Sequence, residues 1–224
     1  MEIAMSLLAA LVIAAAQAAA PEQSGIDRPA PRTVLGSPAT YDLAGFRLGM
    51  SEADIDQILR QRKMTVVRSL RTKSFESQVR DLVNLRGGRL PPGGDAVLDN
   101  VEVNDGRGGR VMIRMLAWPA GARIRSIAYL PPAGTSTTTW HDLLVARYGP
   151  SSRDSVSSAA QPLHLVWCGQ QSCGGAVEPF QMVADVDSAG GQIVLTQPEG
   201  SARLLATLIE NAAAGRLKVQ PPSF

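Results

Sequence analysis

The segment Leu163–Gly175, LHLVWCGQQSCGG, gathers the side chains best suited to chemistry: both cysteines of the chain, Cys168 and Cys173, with His164 and Trp167 before them. Three chemistries are open to it. An imidazole and two thiolates are zinc ligands, and His164 and Cys168 share one face of a strand, so a site would need only a distant fourth ligand. A dithiol could be a redox centre, but the spacing is C-x4-C and not the C-x-x-C of thioredoxin-like motifs. The third chemistry is a disulfide stapling a hairpin, and the choice among the three depends on the compartment.

Elsewhere, catalytic constellations are sparse. The chain has no G-x-S-x-G, H-E-x-x-H, S-x-x-K or P-loop pattern. Gly106-Arg107-Gly108-Gly109 is glycine-rich, yet it joins strand to strand and has no helix N-terminus behind it to cradle a phosphate. Asp99-Asn100 and Asn104-Asp105 lack the ligand spacing of an EF-hand loop, so they are read as hairpin residues. His141-Asp142 falls at the edge of a helix's apolar side, where a boundary histidine is the simpler role. No residue is assigned a catalytic, cofactor-binding or metal-binding role. The alternative to a binding protein is a small hydrolase-type enzyme with a site near His141 or His164, since triad partners are set by the fold and not by proximity in sequence.

The N-terminal twenty residues, MEIAMSLLAALVIAAAQAAA, are apolar from Ile3 to Ala16, and Ala16-Gln17-Ala18 is a small-x-small cleavage signature. This is the pattern of a secretory signal peptide over 1–18, although Glu2 stands where a basic residue is usual. The run is too short for a stable membrane span, so no membrane insertion is expected after cleavage. No cysteine precedes Cys168, and the reading is of an exported chain, periplasmic or secreted, without a lipid anchor; the alternative is an uncleaved N-terminal anchor. In that oxidising setting two cysteines with no other partner pair with each other. Cys168–Cys173 is therefore predicted to be a disulfide, worth about 2 kcal/mol for so short a loop, with Trp167 packed beside it. Residues 19–40, ending PEQSGIDRPAPRTVLGSPAT, are rich in Pro, Gly and Ser without periodicity and read as a flexible linker.

Charge excludes a nucleic-acid binder. The chain carries 22 basic and 20 acidic residues, +2 in all, and loss of Glu2 with the signal leaves an interspersed +3. A nucleic-acid footprint needs clustered basic residues over a face or stripe.

The strongest pattern is internal. GMSEADIDQILRQRK (Gly49–Lys63) and GTSTTTWHDLLVARY (Gly134–Tyr148) align without gaps 85 residues apart, matching Gly49 with Gly134, Ser51 with Ser136, Leu59 with Leu144 and Arg62 with Arg147. Each copy predicts a helix: Ser51 is an N-cap with Asp54 completing a capping-box pair, and Ile55, Ile58 and Leu59 share a face that Trp140, Leu143 and Leu144 occupy in the second copy. Gly149-Pro150 closes the second helix. The repeated arginines have two readings: a paired anion site in which Arg62 and Arg147 grip a carboxylate, or complements to the helix dipole. Strands are predicted at Met64–Leu70, Val97–Val103, Arg110–Ala117, Arg123–Leu130, Leu163–Cys168, Phe180–Asp187 and Gln192–Gln197. Ser77–Leu85 fits both a strand and a helix. Asn104–Gly109 is a hairpin loop, and a last helix over Ser201–Ala214 would bury Leu204, Leu205, Leu208 and Ile209, with Gly215 as its cap.

The result is an α+β class: two tandem modules of a helix plus antiparallel strands, 41–132 and 133–224, with a C-terminal helix, and with either separate sheets or one continuous sheet. A helix opened by G-M-S after a short strand and followed by a meander resembles the modules of the β-lactamase-inhibitor-protein-like fold, a group that includes small outer-membrane assembly lipoproteins of the SmpA/OmlA type. The match is carried by Phe46–Leu70 and by Gly134–Gly149. The resemblance implies tandem modules presenting a sheet face to a protein partner. This chain departs from the group in lacking a lipidation cysteine and in having only 4% aromatic residues. The expected function is that of a non-catalytic binding or scaffold protein acting on another envelope protein through a sheet face or edge, with no cofactor. The residues singled out for binding are Arg62, Arg147 and His164.

Overall fold

The structure, a computed structural model, describes residues 37–155, 162–168, 173 and 180–219. The predicted signal peptide, most of the predicted linker and the GQQS turn between the cysteines lie outside the described residues. Two regular segments precede the first repeat helix: a single 3-10 turn at Pro38–Thr40 and a small hairpin of β1 (Asp42–Leu43) and β2 (Phe46–Arg47). The end of the predicted linker is thus structured, with Pro38 buried and the turn set against the second half of the chain.

The first half continues with α1 (Glu52–Arg62), β3 (Thr65–Lys73), α2 (Phe75–Leu85), β4 (Ala96–Asn104), β5 (Arg110–Trp118) and β6 (Gly121–Leu130). The second repeats the plan with α3 (Thr137–Tyr148), β7 (Arg153–Ser155), β8 (Leu163–Cys168), β9 (Gln181–Asp187) and β10 (Gly190–Thr196), followed by α4 (Gly200–Val219). Each half is a helix followed by a four-stranded antiparallel meander. The two meanders form one eight-stranded sheet in the order β3-β4-β5-β6-β10-β9-β8-β7. The fold is α+β, as predicted, and the sheet is continuous because the last strands of the two halves pair antiparallel, Ile193 with Tyr129, Val194 with Ala128, Leu195 with Ile127 and Thr196 with Ser126.

The duplicated helices begin alike. Ser51 Oγ accepts from the Asp54 backbone N–H (3.3 Å) while the Asp54 carboxylate accepts from the Ser51 backbone N–H (2.8 Å) and hydroxyl (2.7 Å), satisfying donors that a helix start leaves orphaned. In α3 the Ser136 hydroxyl accepts from the Thr139 N–H (3.1 Å). Lys63, left-handed at φ 53°, closes α1, and Gly149 at φ 82° closes α3. Both helices pack on the same face of the sheet: Ile55 and Leu144 join the main core with Val103, Ile113, Ile124, Ile127, Leu165, Trp167 and Leu195, all under 5% exposed. One predicted match fails. Leu143 is exposed, because α3 seats the spacing Trp140, Leu144 and Tyr148 on the sheet and turns Leu143 outward.

Among the described residues, the opposite face is covered at one end only. There α2 and α4 form a smaller core, Phe75, Val79, Val83, Leu205 and Ala213, against Leu116 and Trp118, which alternate along β5 with the main-core residue Met115 and the buried Ala117. The pair runs antiparallel, with Arg86 bonded to Glu210 at 2.5 Å and Glu76 paired with Arg216 at the other end. The ambiguous segment 77–85 is helical because Val79 and Val83, one turn apart, are both buried in this core. Here two expectations are corrected. Gly215 does not end the last helix, which runs to Val219 because Leu217 still packs on this cluster and Arg216 still reaches Glu76; and Leu204 is exposed, leaving Leu205 as the fully buried residue.

The Asn104–Gly109 turn is a hairpin loop, as predicted. Asp105 holds it: Oδ1 accepts from the backbone N–H of Arg107 (2.7 Å) and Gly109 (2.9 Å), and Oδ2 accepts from the Tyr129 hydroxyl (3.1 Å). A Cβ at Gly109 would come within 2.6 Å of those same oxygens, so the approach requires glycine.

The bonds from Ser51 hold the Asp54 carboxyl below its ordinary pKa. A depressed pKa contributes stability that is present above the unfolded value and lost as pH falls through the folded one. Ser51→Ala and Ser136→Ala should each cost about 1 kcal/mol at pH 7 and act additively. Asp54→Ala should destabilise at pH 7 and converge on the parent as pH drops below the carboxylate range, read by thermal melting. A pH-independent gap would contradict the capping role.

Candidate functional site

In a strand, successive side chains alternate between faces, so the register defines what the helix-free face carries. One cross-strand row there runs Arg68, Glu102, Met112, Ala128, Val194, Val183, Val166, Arg153, one residue from each of the eight strands. Five consecutive members are apolar. Met112, Ala128, Val194 and Val183 are half-buried, and Val166 is buried on β8. At the strand spacing of a sheet this apolar stripe is about 19 Å long. A polar row borders it: Asn100, Arg114, Ser126, Thr196, Gln181, Cys168.

Charge on this face is divided. Toward β3 it holds Arg68, Arg110 and Arg114, with Glu102 bonded to Arg110 at 3.1 Å. Toward β8 it holds Asp185 and His164, paired directly opposite on neighbouring strands, the His164 Nδ1 against the Asp185 Oδ1 and both side chains more than a third exposed. A carboxylate on Nδ1 fixes the imidazole and leaves Nε2 facing outward, which is the arrangement of an oriented base.

Of the other predicted residues, only Cys168 borders this face. Cys168 and Cys173 form a disulfide with a Cα separation of 5.6 Å, so neither supplies a thiolate to a metal or redox centre. Among the described residues no group of three or more His, Cys, Asp or Glu is arranged to hold a metal ion. His141 is bonded to its neighbour Asp142 (3.2 Å) on α3 and converges with neither His164 nor a nucleophile. Trp167 is buried, as the staple reading expects, and donates from Nε1 to the Gly149 carbonyl (3.0 Å).

Arg62 and Arg147 both reach the β1–β2 hairpin, and they do not form an anion site. Arg147 grips Asp42 with both carboxylate oxygens at 2.8 Å and lies 5.6 Å from the centre of the Tyr148 ring. Arg62 lies over Gly45, where a Cβ would fall 2.5 Å from the Arg62 Cζ and the backbone has φ 92°. The anion for Arg147 is thus the chain's own Asp42 carboxylate, whereas Arg62 lies against the backbone of Gly45. Around it, the Tyr148 hydroxyl donates to the Asp42 carbonyl (2.7 Å), the Tyr41 hydroxyl donates to the Tyr148 carbonyl (3.1 Å), and the Tyr41 and Tyr148 rings sit 4.8 Å apart. These residues clasp the N-terminal hairpin to the end of α3.

Comparison with family models, with curated proteins and with solved structures finds no match. Sequence reasoning singled out His164 but missed Asp185 and the apolar row. Alternation along each strand contained the signal, but which face stays open depends on where α1 and α3 pack.

Burial pushes all three tyrosines of the chain above their ordinary pKa, Tyr129 and Tyr148 to about 12. Folded values above the unfolded 10 mean that this contribution is intact below pH 10 and is lost as pH climbs toward 12. Tyrosinate absorbance should stay absent in the native protein past pH 10 and emerge together with alkaline unfolding. Half-ionisation near pH 10 with native circular dichroism would contradict the burial.

Proposed function

We propose that this chain is an exported, non-catalytic binding or scaffold protein that engages a protein partner in the cell envelope through the open face or an edge of its sheet. The observation that carries the proposal is the apolar row Met112–Ala128–Val194–Val183, half-exposed across four central strands on a face that neither α1 nor α3 covers. A sheet normally buries such a face against another layer. A continuous apolar stripe rimmed by polar residues has the anatomy of an interface core with its rim. The signal-like residues 1–18 support export, and the disulfide is consistent with an oxidising compartment. The duplicated helix-plus-meander plan agrees with the resemblance to tandem envelope modules that present a sheet face.

One observation favours a second reading, a small periplasmic hydrolase: the His164–Asp185 pair on the same face. A base needs a nucleophile or a positioned water within hydrogen-bond reach, so this reading requires that the bound substrate or solvent supply it.

The test is affinity capture from envelope extract with the mature chain and with Met112→Lys/Val194→Lys, which should cost no more than about 1 kcal/mol per site because both positions are half-exposed. The binding reading expects one protein retained reproducibly by the parent and lost with the variant at unchanged fold. Retention by both would move the site off this face. No retention, together with ester or amide hydrolysis abolished by His164→Ala, would replace the binding reading by the enzymatic one.

A further inference from the structure

We infer that β3 accepts an extended acidic segment of the partner as a ninth strand of the sheet, an inference that rests on the protein-binding reading and specifies where the partner docks. β3 ends the strand order, and among the described residues it pairs only with β4. The opposite end of the sheet is β7, only three residues long. β3 has nine residues, all exposed, and it shows apolar side chains to solvent: Val66 at 45%, Val67 at 58% and Leu70 at 43%. An edge strand of this kind presents a row of main-chain N–H and C=O groups, the template for strand addition.

Its charge selects the occupant. From Gln57 to Phe75 the chain carries six cations, Arg60, Arg62, Lys63, Arg68, Arg71 and Lys73, and no carboxylate. Lys73 is paired with Asp81 (2.5 Å), an exposed ion pair of the sort that contributes little and exchanges readily for an incoming carboxylate, while Arg71 is paired with Glu52 (3.1 Å) and also donates to the Ala96 carbonyl (2.9 Å), an anchored guanidinium that keeps donors for a second carboxylate. Among the described residues no carboxylate lies within ion-pair distance of Arg60, Arg62, Lys63 or Arg68. A second copy of the chain added along β3 would set these cations against their equals, so self-pairing is opposed while an acidic strand is attracted. Basic residues on an edge guard against indiscriminate pairing, and here they also choose the partner.

The register gives the segment a pattern. Val67 is a bulge, and from Arg68 to Lys73 β3 is continuous, since the second irregularity places its extra residue, Asp99, on β4. An antiparallel strand opposite Lys73 to Arg68 would place acidic residues against Lys73, Arg71 and Arg68 and an apolar residue against Leu70, a six-residue acid-x-acid-apolar-x-acid segment.

The test uses the full mature chain, isotopically labelled and titrated at low salt with the capped peptide Glu-Thr-Glu-Val-Thr-Glu, following backbone amide shifts. Saturable binding on the order of 1 mM or tighter is expected, with the largest shifts in 66–73. N-methylation of alternate peptide amides, replacement of its Glu by Lys, and Arg68→Glu in the protein should each weaken it by about tenfold or more, and added salt should weaken it too. Arg68→Glu lies at an exposed position, and its melting curve shows whether the fold is kept. The inference is overturned by an absence of saturable shifts, by equal binding of the N-methylated peptide, or by shifts confined to the Met112–Val194 face. It is overturned equally if vesicles of anionic lipid bind in an Arg68-dependent way and the peptide does not. Envelope capture separates the two claims: a partner held equally by the parent and Arg68→Glu but lost with the open-face variant overturns the edge and upholds the binding reading, whereas no retained partner overturns the binding reading while the peptide titration still decides the edge.

Discussion

The antiparallel pairing of β6 with β10 is the constraint on which the rest of the molecule depends. Each half lays one helix, α1 or α3, on the main-core face of four strands, and a four-stranded sheet with one helix on that face has little core of its own. Joining the last strand of each meander merges the two into a single layer. Ile127, Ile193 and Leu195, nearly or fully buried at the seam, then belong to one core shared by α1 and α3. Burial of each such side chain is worth about 1.5–3 kcal/mol before entropy is counted. Two further ties reinforce the join: the Tyr41–Asp42 clasp on Arg147 and Tyr148, and the α2–α4 pair that brings the C-terminal helix onto β5.

The same pairing determines what is left over. With α1 and α3 both on one face, the described residues cover the other only where α2 and α4 reach it, and the middle of the sheet carries a half-buried apolar row between cationic and acidic ends. Sheet order also leaves β3 as a long edge and β7 as a short one. Function is thus argued from asymmetries of the fold: one face unlayered, one edge long and basic. The cross-strand pair His164 with Asp185 sits on that open face, so a partner bound there would cover it.

Much of the local structure was legible in the sequence because it rests on local rules. Ser51 and Asp54 announce a capped helix, Gly149-Pro150 announces its counterpart's end, and the strand segments lie within a few residues of where alternation places them. The disulfide followed from having two cysteines and no other thiol partner. What was not legible depends on distant residues. Leu143 and Leu204 look like core by spacing and are exposed, because each helix's contact face is decided by the sheet beneath it. Gly215 looks like a cap and is helical, because Leu217 has a cluster to join. Arg62 and Arg147 are matched by the repeat, but that Asp42 would serve Arg147 required the hairpin's position. Asp185 opposite His164 emerges only from the β8–β9 register, and the Met112–Val166 row only from the β6–β10 seam, where Ala128 meets Val194.

The most direct measurement of the central claim is native-state hydrogen exchange of the β6 and β10 backbone amides across a denaturant series. If the seam organises the fold, Ile127, Ala128, Val194 and Leu195 will exchange only through global unfolding, and α1 and α3 will lose protection in the same transition. Seam amides that exchange by a cheaper local opening, or halves that unfold in two separate transitions, would contradict it.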